Sequence, residues 1–591
     1  MPQRPKRRRP GQPRVDDLFY DNPDPAGPDD PDGAADDGGA DDSVSERNES
    51  PQEEARVAGL SAGTADPDAE TETGGATSPH DSVAPGRRRV GMLGRVARAG
   101  AVVGVAAALV YAAGSGRVET LDLATALGQE AVVPDSTSQP AGLAVLTEAS
   151  IGCVGPERVG LDDPTVTEPE QVVSVTVGAA PREALPDGLD PTGVGQLRVS
   201  GSPQGETESG VGRGEPVILP VSGDTWARGS AQGALAAGFA GSQLGLSLQE
   251  QERGLTMAAC QTAREDTWLV GGGAEPGRVE RLILANPTGN AVTADVEVLG
   301  AEGRVSVAGG RGIVVPAGER QVLLLDALAP GEARPVVHVR TTGGPVLAAL
   351  ADRWLEGTLD RGTELITPAA PPADSLVIPA VPAGGGAADS ASVRIAVPGD
   401  EEAVVQLRAL TPEGPTRLRN AVTTVEAGAV ADVDVSDLPP GTHAIEVEAD
   451  TPVVAAAQVD RRAEPDGVSD LAWVPAVQVS TDLVGAPLAH QGSDPLERAV
   501  TIASLEGAQV EVTAVTQGVA ETQSLDVPAA GSATVVLDPE TESVWVRAVS
   551  GAASSAVVST LEDDSGTLIA GTPLPEAALT RQVRSVAPWH P

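Results

Sequence analysis

Aromatic side chains make up only 2% of this 591-residue chain: six Trp, two Tyr and two Phe. Its cores must be filled by Ala, Val, Leu and Ile, with each Trp a rare large anchor. Sugar clefts with aromatic walls are disfavoured for the same reason. Cationic charge is scarce as well, with 40 Lys and Arg against 84 Asp and Glu, a net charge of -44 at pH 7. So acidic a chain repels phosphate backbones, which argues against nucleic acid as a partner. Cysteine is nearly absent: Cys153 and Cys260 are the two, and two thiols alone cannot build a structural zinc site. Among the five histidines, His80, His338, His443, His490 and His590, no two stand at metal-ligand spacing.

Signatures of catalysis are missing too. Gly229-Ser230-Ala231-Gln232-Gly233 has the glycines of a nucleophile elbow but misplaces the serine. Gly271–Gly273 and Gly384–Gly386 lack the helix or Lys-Ser/Thr pair that must follow a phosphate loop. The Asp-rich run from Asp29 to Asp42 lacks the order and distal Glu of a calcium loop. Glu401-Glu402 and Asp563-Asp564 read as solvated turns. A carboxylate pair for glycoside hydrolysis would be a spatial partnership that sequence does not display. No cofactor and no catalytic residue is expected.

What the chain does have is one uncharged apolar stretch, Ala99 to Gly116. As a helix at ~1.5 Å per residue it reaches ~27 Å, close to a ~30 Å hydrocarbon core. Arg87, Arg88, Arg89, Arg95 and Arg98 precede it, while Arg117, Glu119 and Asp122 follow. That bias puts the N-terminus in the cytoplasm and the body outside, anchored in lipid through residues 99–116. Cleavage after Val110-Tyr111-Ala112 and a buried helix of a soluble protein are the competing outcomes. Residues 1–98 are rich in Asp, Glu, Gly, Ala, Pro and Ser, bury too little to offset chain entropy, and are expected as a disordered acidic head. On the exported side an isolated cysteine pair reads as a disulfide, Cys153–Cys260; free thiols or half a metal site are the alternative.

Residues 117–275 form a first exported β-rich region, with Val172–Val177 alternating as a half-buried strand does. Ala231–Gly245, including Phe239, reads as a loop or a weak helix, and Gly201–Gly214 as a polar turn or loop. Beyond it a pattern recurs. Leu282-Ile283-Leu284, Val292–Leu299, Val315-Pro316-Ala317-Gly318 and Val336–Arg340 are followed by Val346–Leu350. Val393–Val397, Val404–Leu410, Glu426-Ala427-Gly428, Ala444–Val447 and Val453–Ala457 repeat that order, as do Ala499–Ile502, Val510–Val515, Ala529-Ala530-Gly531, Val544–Arg547 and Ala556–Val558. Short strands punctuated by Gly and Pro, at a period near ~100 residues, predict tandem immunoglobulin-like antiparallel β-sandwiches. A propeller or solenoid, whose repeat is usually ~20–50 residues, is the competing architecture. The predicted units are 276–367, 387–464 and 495–579, with linkers at 368–386 and 465–494 and a loose tail at 580–591. His338 and His443 fall on related strands, one of them on an outer face.

Cys153 with Gly155-Pro156-Glu157, Cys260, Trp268-Leu269-Val270-Gly271-Gly272-Gly273, Leu284-Ala285-Asn286-Pro287, Val315-Pro316-Ala317-Gly318 and Gly344-Pro345-Val346 together resemble a family of actinobacterial membrane-anchored proteins classed as a domain of unknown function. The resemblance implies location and architecture and carries no activity. The expected function is that of a single-pass, non-catalytic cell-envelope protein, displaying sandwiches as a scaffold or binding module for an envelope protein or glycan. An enzyme or accessory subunit acting on cell-wall polysaccharide is the alternative.

Overall fold

The computed structural model describes residues 142–156, 172–189, 191–307, 309–384, 388–462, 464–489 and 496–583. These belong to one compact unit, Ala131–Pro591. The acidic head, the apolar segment 99–116, and His80, His490 and His590 lie outside the described residues. Among those described, no helix is long and apolar enough to cross a membrane. The chain is mainly β, built from many small antiparallel sheets.

The strands follow from alternation. In Val292–Gly300, Val292, Ala294, Val296 and Val298 are buried while Thr293 and Asp295 are exposed, the period-two pattern of a sheet with one covered face. Four repeats share one strand order. In the last of them one sheet runs Val484–Pro487, Thr541–Ser550, Ala508–Thr516, Val519–Val527, and the other Gly531–Leu537, Glu497–Ser504, Ser554–Asp563, Gly566–Pro573. The first repeat matches it strand for strand. One sheet is Glu148–Cys153, Trp226–Gly233, Gly195–Ser202, Thr207–Gly210; the other is Val217–Ser222, Val172–Ala179, Phe239–Ser247, Gly254–Ala259. The second repeat adds the short strand Ile313–Val315. In the third, the 22-residue strand Gly441–Arg462 serves both sheets.

Several local expectations are corrected. The stretch 231–245 is not a helix: a turn at 234–238 joins the strands Trp226–Gly233 and Phe239–Ser247, the latter paired along its length. Gly201–Gly214 contains the strand Thr207–Gly210. The segments expected as linkers carry the strands Ala373–Ala383, Ser469–Pro475 and Val484–Pro487. Trp268 sits in Asp266–Val270, which pairs with Val336–Thr342 and so opens the second repeat. In the expected tail, Thr580–Val583 pairs antiparallel with Gly142–Val145, and Leu146 N–H donates to the Leu579 carbonyl at 3.0 Å.

The repeats close on one another. The last strand of each packs at a common centre: Gly254–Ala259 lies against Leu359–Ile366 and Gly566–Pro573, and Ser469–Pro475 lies against the same two. All seven residues of Ser469–Pro475 are buried, because neighbouring repeats cover the face that a free sandwich would leave wet. The cores interlock accordingly. Trp473 of the third repeat joins the core of the second, Ile569 of the fourth joins that of the third, and Leu255 of the first joins that of the fourth. Polar seams follow the same circuit. Arg320 donates to the Val154 and Pro156 carbonyls at 2.6 and 2.9 Å, Arg394 to Gly272 at 2.7 Å, Ser532 to Leu410 at 2.7 Å and Ser242 to Pro487 at 2.5 Å.

Candidate functional site

The centre of this ring is built around one carboxylate. Asp470 is fully buried on Ser469–Pro475. Its Oδ2 accepts the amide hydrogens of Leu255 (3.3 Å) and Ile569 (2.9 Å), and its Oδ1 accepts that of Thr363 (3.1 Å). One side chain of the third repeat thereby ties the last strands of the other three. Burial pushes Asp470 up to about 7, against the pull of these N–H donors. Glu364, on Leu359–Ile366, is 1% exposed. Its pKa is raised well above the usual range, by burial first and also by the charge of Asp470.

Close approach of the strands demands glycine. At Gly362, where φ is +133°, a Cβ would meet the Leu471 amide nitrogen at 2.4 Å; at Gly254 it would meet the Thr363 side chain at 2.0 Å. Beside the centre, Arg278 donates to both Asp352 oxygens at 2.9 and 2.6 Å. The Trp473 indole N–H donates to Asp352 Oδ2 at 2.9 Å.

The chain leaving each last strand lines a cavity of about 640 Å³, to which Gln261 and Arg264, Thr367, Gln478, and Pro573 and Glu576 contribute in turn. The Cys153–Cys260 disulfide stands in its wall: Cys260 is a lining residue, and the two Cα atoms are 4.6 Å apart. Arg264 and Glu576 supply opposite charges. Burial raises the Glu576 carboxyl and the charge of Asp482 adds to this, while Arg264 offsets it. The remaining lining is small apolar side chains, amides, hydroxyls and prolines, without an aromatic or a histidine. Such a surface can bind through hydrogen bonds and shape. Among the described residues no group of three or more His, Cys, Asp or Glu could hold a metal ion.

Of the residues singled out in the sequence, the two cysteines meet and the two described histidines do not. His338 is stacked on Trp268 with ring centroids 3.8 Å apart and contacts Asp266 at 3.1 Å. His443 lies 3.0 Å from the Pro439 carbonyl oxygen. Both are buried, so neither occupies an open outer face. Asp563 is no simple solvated turn: it takes two hydrogen bonds from Arg253. Asp470 and Glu364 went unmarked, although an acidic residue flanked by Leu471-Ala472-Trp473-Val474 is the signal that could have found the first.

A family model described as a family of unknown function (DUF5719) matches residues 219–540, more than half of the chain. The chain belongs to that family. The DUF5719 match begins inside the first repeat and ends inside the fourth. No curated protein matches the chain. Among solved structures, a crystal structure of a tetra-tandem repeat in the extending region of a large adhesion protein is 13% identical, covering 65% of this chain and 92% of that one. Its TM-score is 0.08, a likeness that carries no argument about this protein.

Proposed function

We propose that this DUF5719 protein is a single-pass, membrane-anchored, extracytoplasmic binding protein without catalytic activity. In this reading its four repeats are immunoglobulin-like sandwiches, and their ring holds one ligand site where the chain leaves the four last strands. The observation that carries the proposal is the cavity of about 640 Å³, lined by segments following all four last strands and walled by a disulfide. Anchoring rests on the uncharged stretch 99–116 behind its arginines, and export on the disulfide. The partner is a protein of the cell envelope rather than a glycan. Small side chains, amides and hydroxyls suit an extended peptide, whereas aromatic platforms for sugar rings are lacking.

A photo-crosslinking amino acid placed at Gln478 in the cavity and, as a control, at Val519 on an outer strand tests the reading in intact cells. Discrete protein adducts from position 478 alone are expected. Equal adducts from both positions, or none from 478, would overturn the binding site. Protease applied to the same cells should degrade the repeats; a body protected until lysis would overturn the topology.

A further inference from the structure

We propose that the ring is a proton-linked assembly, in which uptake of one proton by the Glu364–Asp470 pair fastens the four last strands together and its loss at higher pH loosens them. The inference goes beyond the binding function and does not depend on the ligand. Glu364 belongs to the second repeat and Asp470 to the third, and both are fully enclosed at the centre where all four repeats meet.

Their surroundings decide which of them takes the proton. Asp470 accepts amide hydrogens from three other strands, which favours its anion. Glu364 Oε1 accepts the Leu365 N–H at 2.8 Å. Its Oε2 is buried with no hydrogen-bond partner among the described residues; the Trp473 and Gly571 amides also favour the carboxylate, but more weakly than burial opposes it. A buried bare oxygen beside a second carboxylate is costly as an anion and inexpensive as an O–H. Glu364 is therefore the first of the two to take a proton, with Asp470 the better-solvated anion.

Among the described residues no cation acts on the pair. Gly254–Ala259 and Gly566–Pro573 carry no charged side chain, and flanking Arg253 is held by Asp563. On Leu347–Glu356, Asp352 is matched by Arg278, Arg353 donates to the Gln251 carbonyl, and Glu356 pairs with Arg361. Asp360, on the same strand as Glu364, accepts the Gln251 amide. On Gly441–Arg462, Glu446 and Glu448 share Arg408, the Asp450 carboxylate takes the Val404 amide, and Asp460 accepts from Ser390 and Gln458. Arg461 pairs with Asp389, Arg462 lies over the Trp354 ring, and His443 meets the Pro439 carbonyl. Asp374 on Ala373–Ala383 is exposed. With both carboxyls ionised, two like charges on different repeats repel, and separation of the strands is the available relief.

Glu364→Gln in the full-length chain, held in nanodiscs, mimics the protonated state: the amide oxygen keeps the Leu365 bond and the NH2 replaces the O–H. Thermal unfolding between pH 5.5 and 8 should show the wild type gaining Tm on acidification. The variant should lose less Tm between pH 5.5 and pH 8 than the wild type, keeping the part of the slope that Asp470 and Glu280 carry, with about one proton fewer released on unfolding. A variant with the full wild-type pH slope, or a wild type that loses Tm on acidification, would overturn the proposal. If the variant does not fold, amide exchange in the wild type still decides. Protection at Leu255, Thr363 and Ile569 should fall between pH 6 and 8 by more than at outer-sheet amides, and a uniform change would overturn the idea.

Discussion

Arg253 and Asp563, 310 positions apart, meet in a two-pronged ion pair with hydrogen bonds of 2.9 and 2.7 Å. Arg253 also donates to the Gly566 carbonyl at 2.7 Å. Arg253 precedes the last strand of the first repeat, and Asp563 ends the strand before the last one of the fourth. The pair thus joins the two repeats most distant in sequence and closes the ring.

Breaking that closure should be felt by the whole body. The Arg253 side chain is 5% exposed and that of Asp563 31%, so the pair lies between a surface bridge and a buried one. Arg253→Ala or Asp563→Ala is expected to lower unfolding free energy by about 2 kcal/mol. A double-mutant cycle in urea checks it: additive losses would mean that the two side chains do not act on each other.

The disulfide makes a second prediction. Cys153 and Cys260 are 107 residues apart and both are buried. Cross-linking so long a loop restricts the unfolded chain and is worth about 3–5 kcal/mol in the chain-entropy model. The double variant Cys153→Ser/Cys260→Ser should melt well below the wild type, and reductant should lower the wild-type Tm toward the same value. Equal melting temperatures with and without reductant would show that the bridge adds no stability.

Two glycines separate backbone strain from repeat contact. A Cβ on Gly357 (φ +66°) would have nothing within 4 Å, whereas one on Gly362 (φ +133°) would stand 2.4 Å from the Leu471 amide and 2.9 Å from Asp470 Oδ1. Gly357→Ala should lose about 1 kcal/mol, the penalty of positive φ alone. Gly362→Ala must also push the second repeat off the third, for about 2–4 kcal/mol. Chemical denaturation of the two variants measures the difference, and similar losses would mean that the centre yields without strain.

Strands with a wet face were legible, because Val and Ala alternate with Thr and Asp, as in Val292–Gly300. The first repeat escaped notice for a packing reason. Its strands Trp226–Gly233 and Phe239–Ser247 are rich in Gly, Ala and Ser, which masks apolar periodicity. Those small residues are required there. A Cβ on Gly241 would lie 2.9 Å from Ile151 and 3.1 Å from the Cys260 sulfur, and one on Gly229 would lie 3.0 Å from Val177. Ring closure was illegible for another reason. It depends on single long-range contacts such as Asp470 to Leu255, across 215 positions, and a buried Asp in a Pro- and Asp-rich stretch looks like linker. A period of ~100 residues is moreover the size of a free sandwich, so it gives no hint that the units join.

Acidification should stabilise this protein, and Glu280 supplies a test independent of the centre. Glu280 is 5% exposed, accepts the Gly273 N–H at 2.8 Å and lies 3.6 Å from Arg278. Arg278 is already committed to Asp352 and Glu275. Burial first, and then the Asp352 charge, push Glu280 up to about 7, whereas an unfolded Glu titrates near ~4.3. Between those values the folded state holds a proton that the unfolded chain has released. Stability therefore falls as pH rises from about 4.3 to about 7, and levels off above, by on the order of 4 kcal/mol at most. Glu280→Gln keeps an oxygen for the Gly273 amide and removes the titration. Its urea stability should change less between pH 5 and pH 8 than that of the wild type, with the gap closing toward acid. An unchanged slope would mean that Glu280 is ionised in the fold throughout, with Arg278 neutralising both carboxylates.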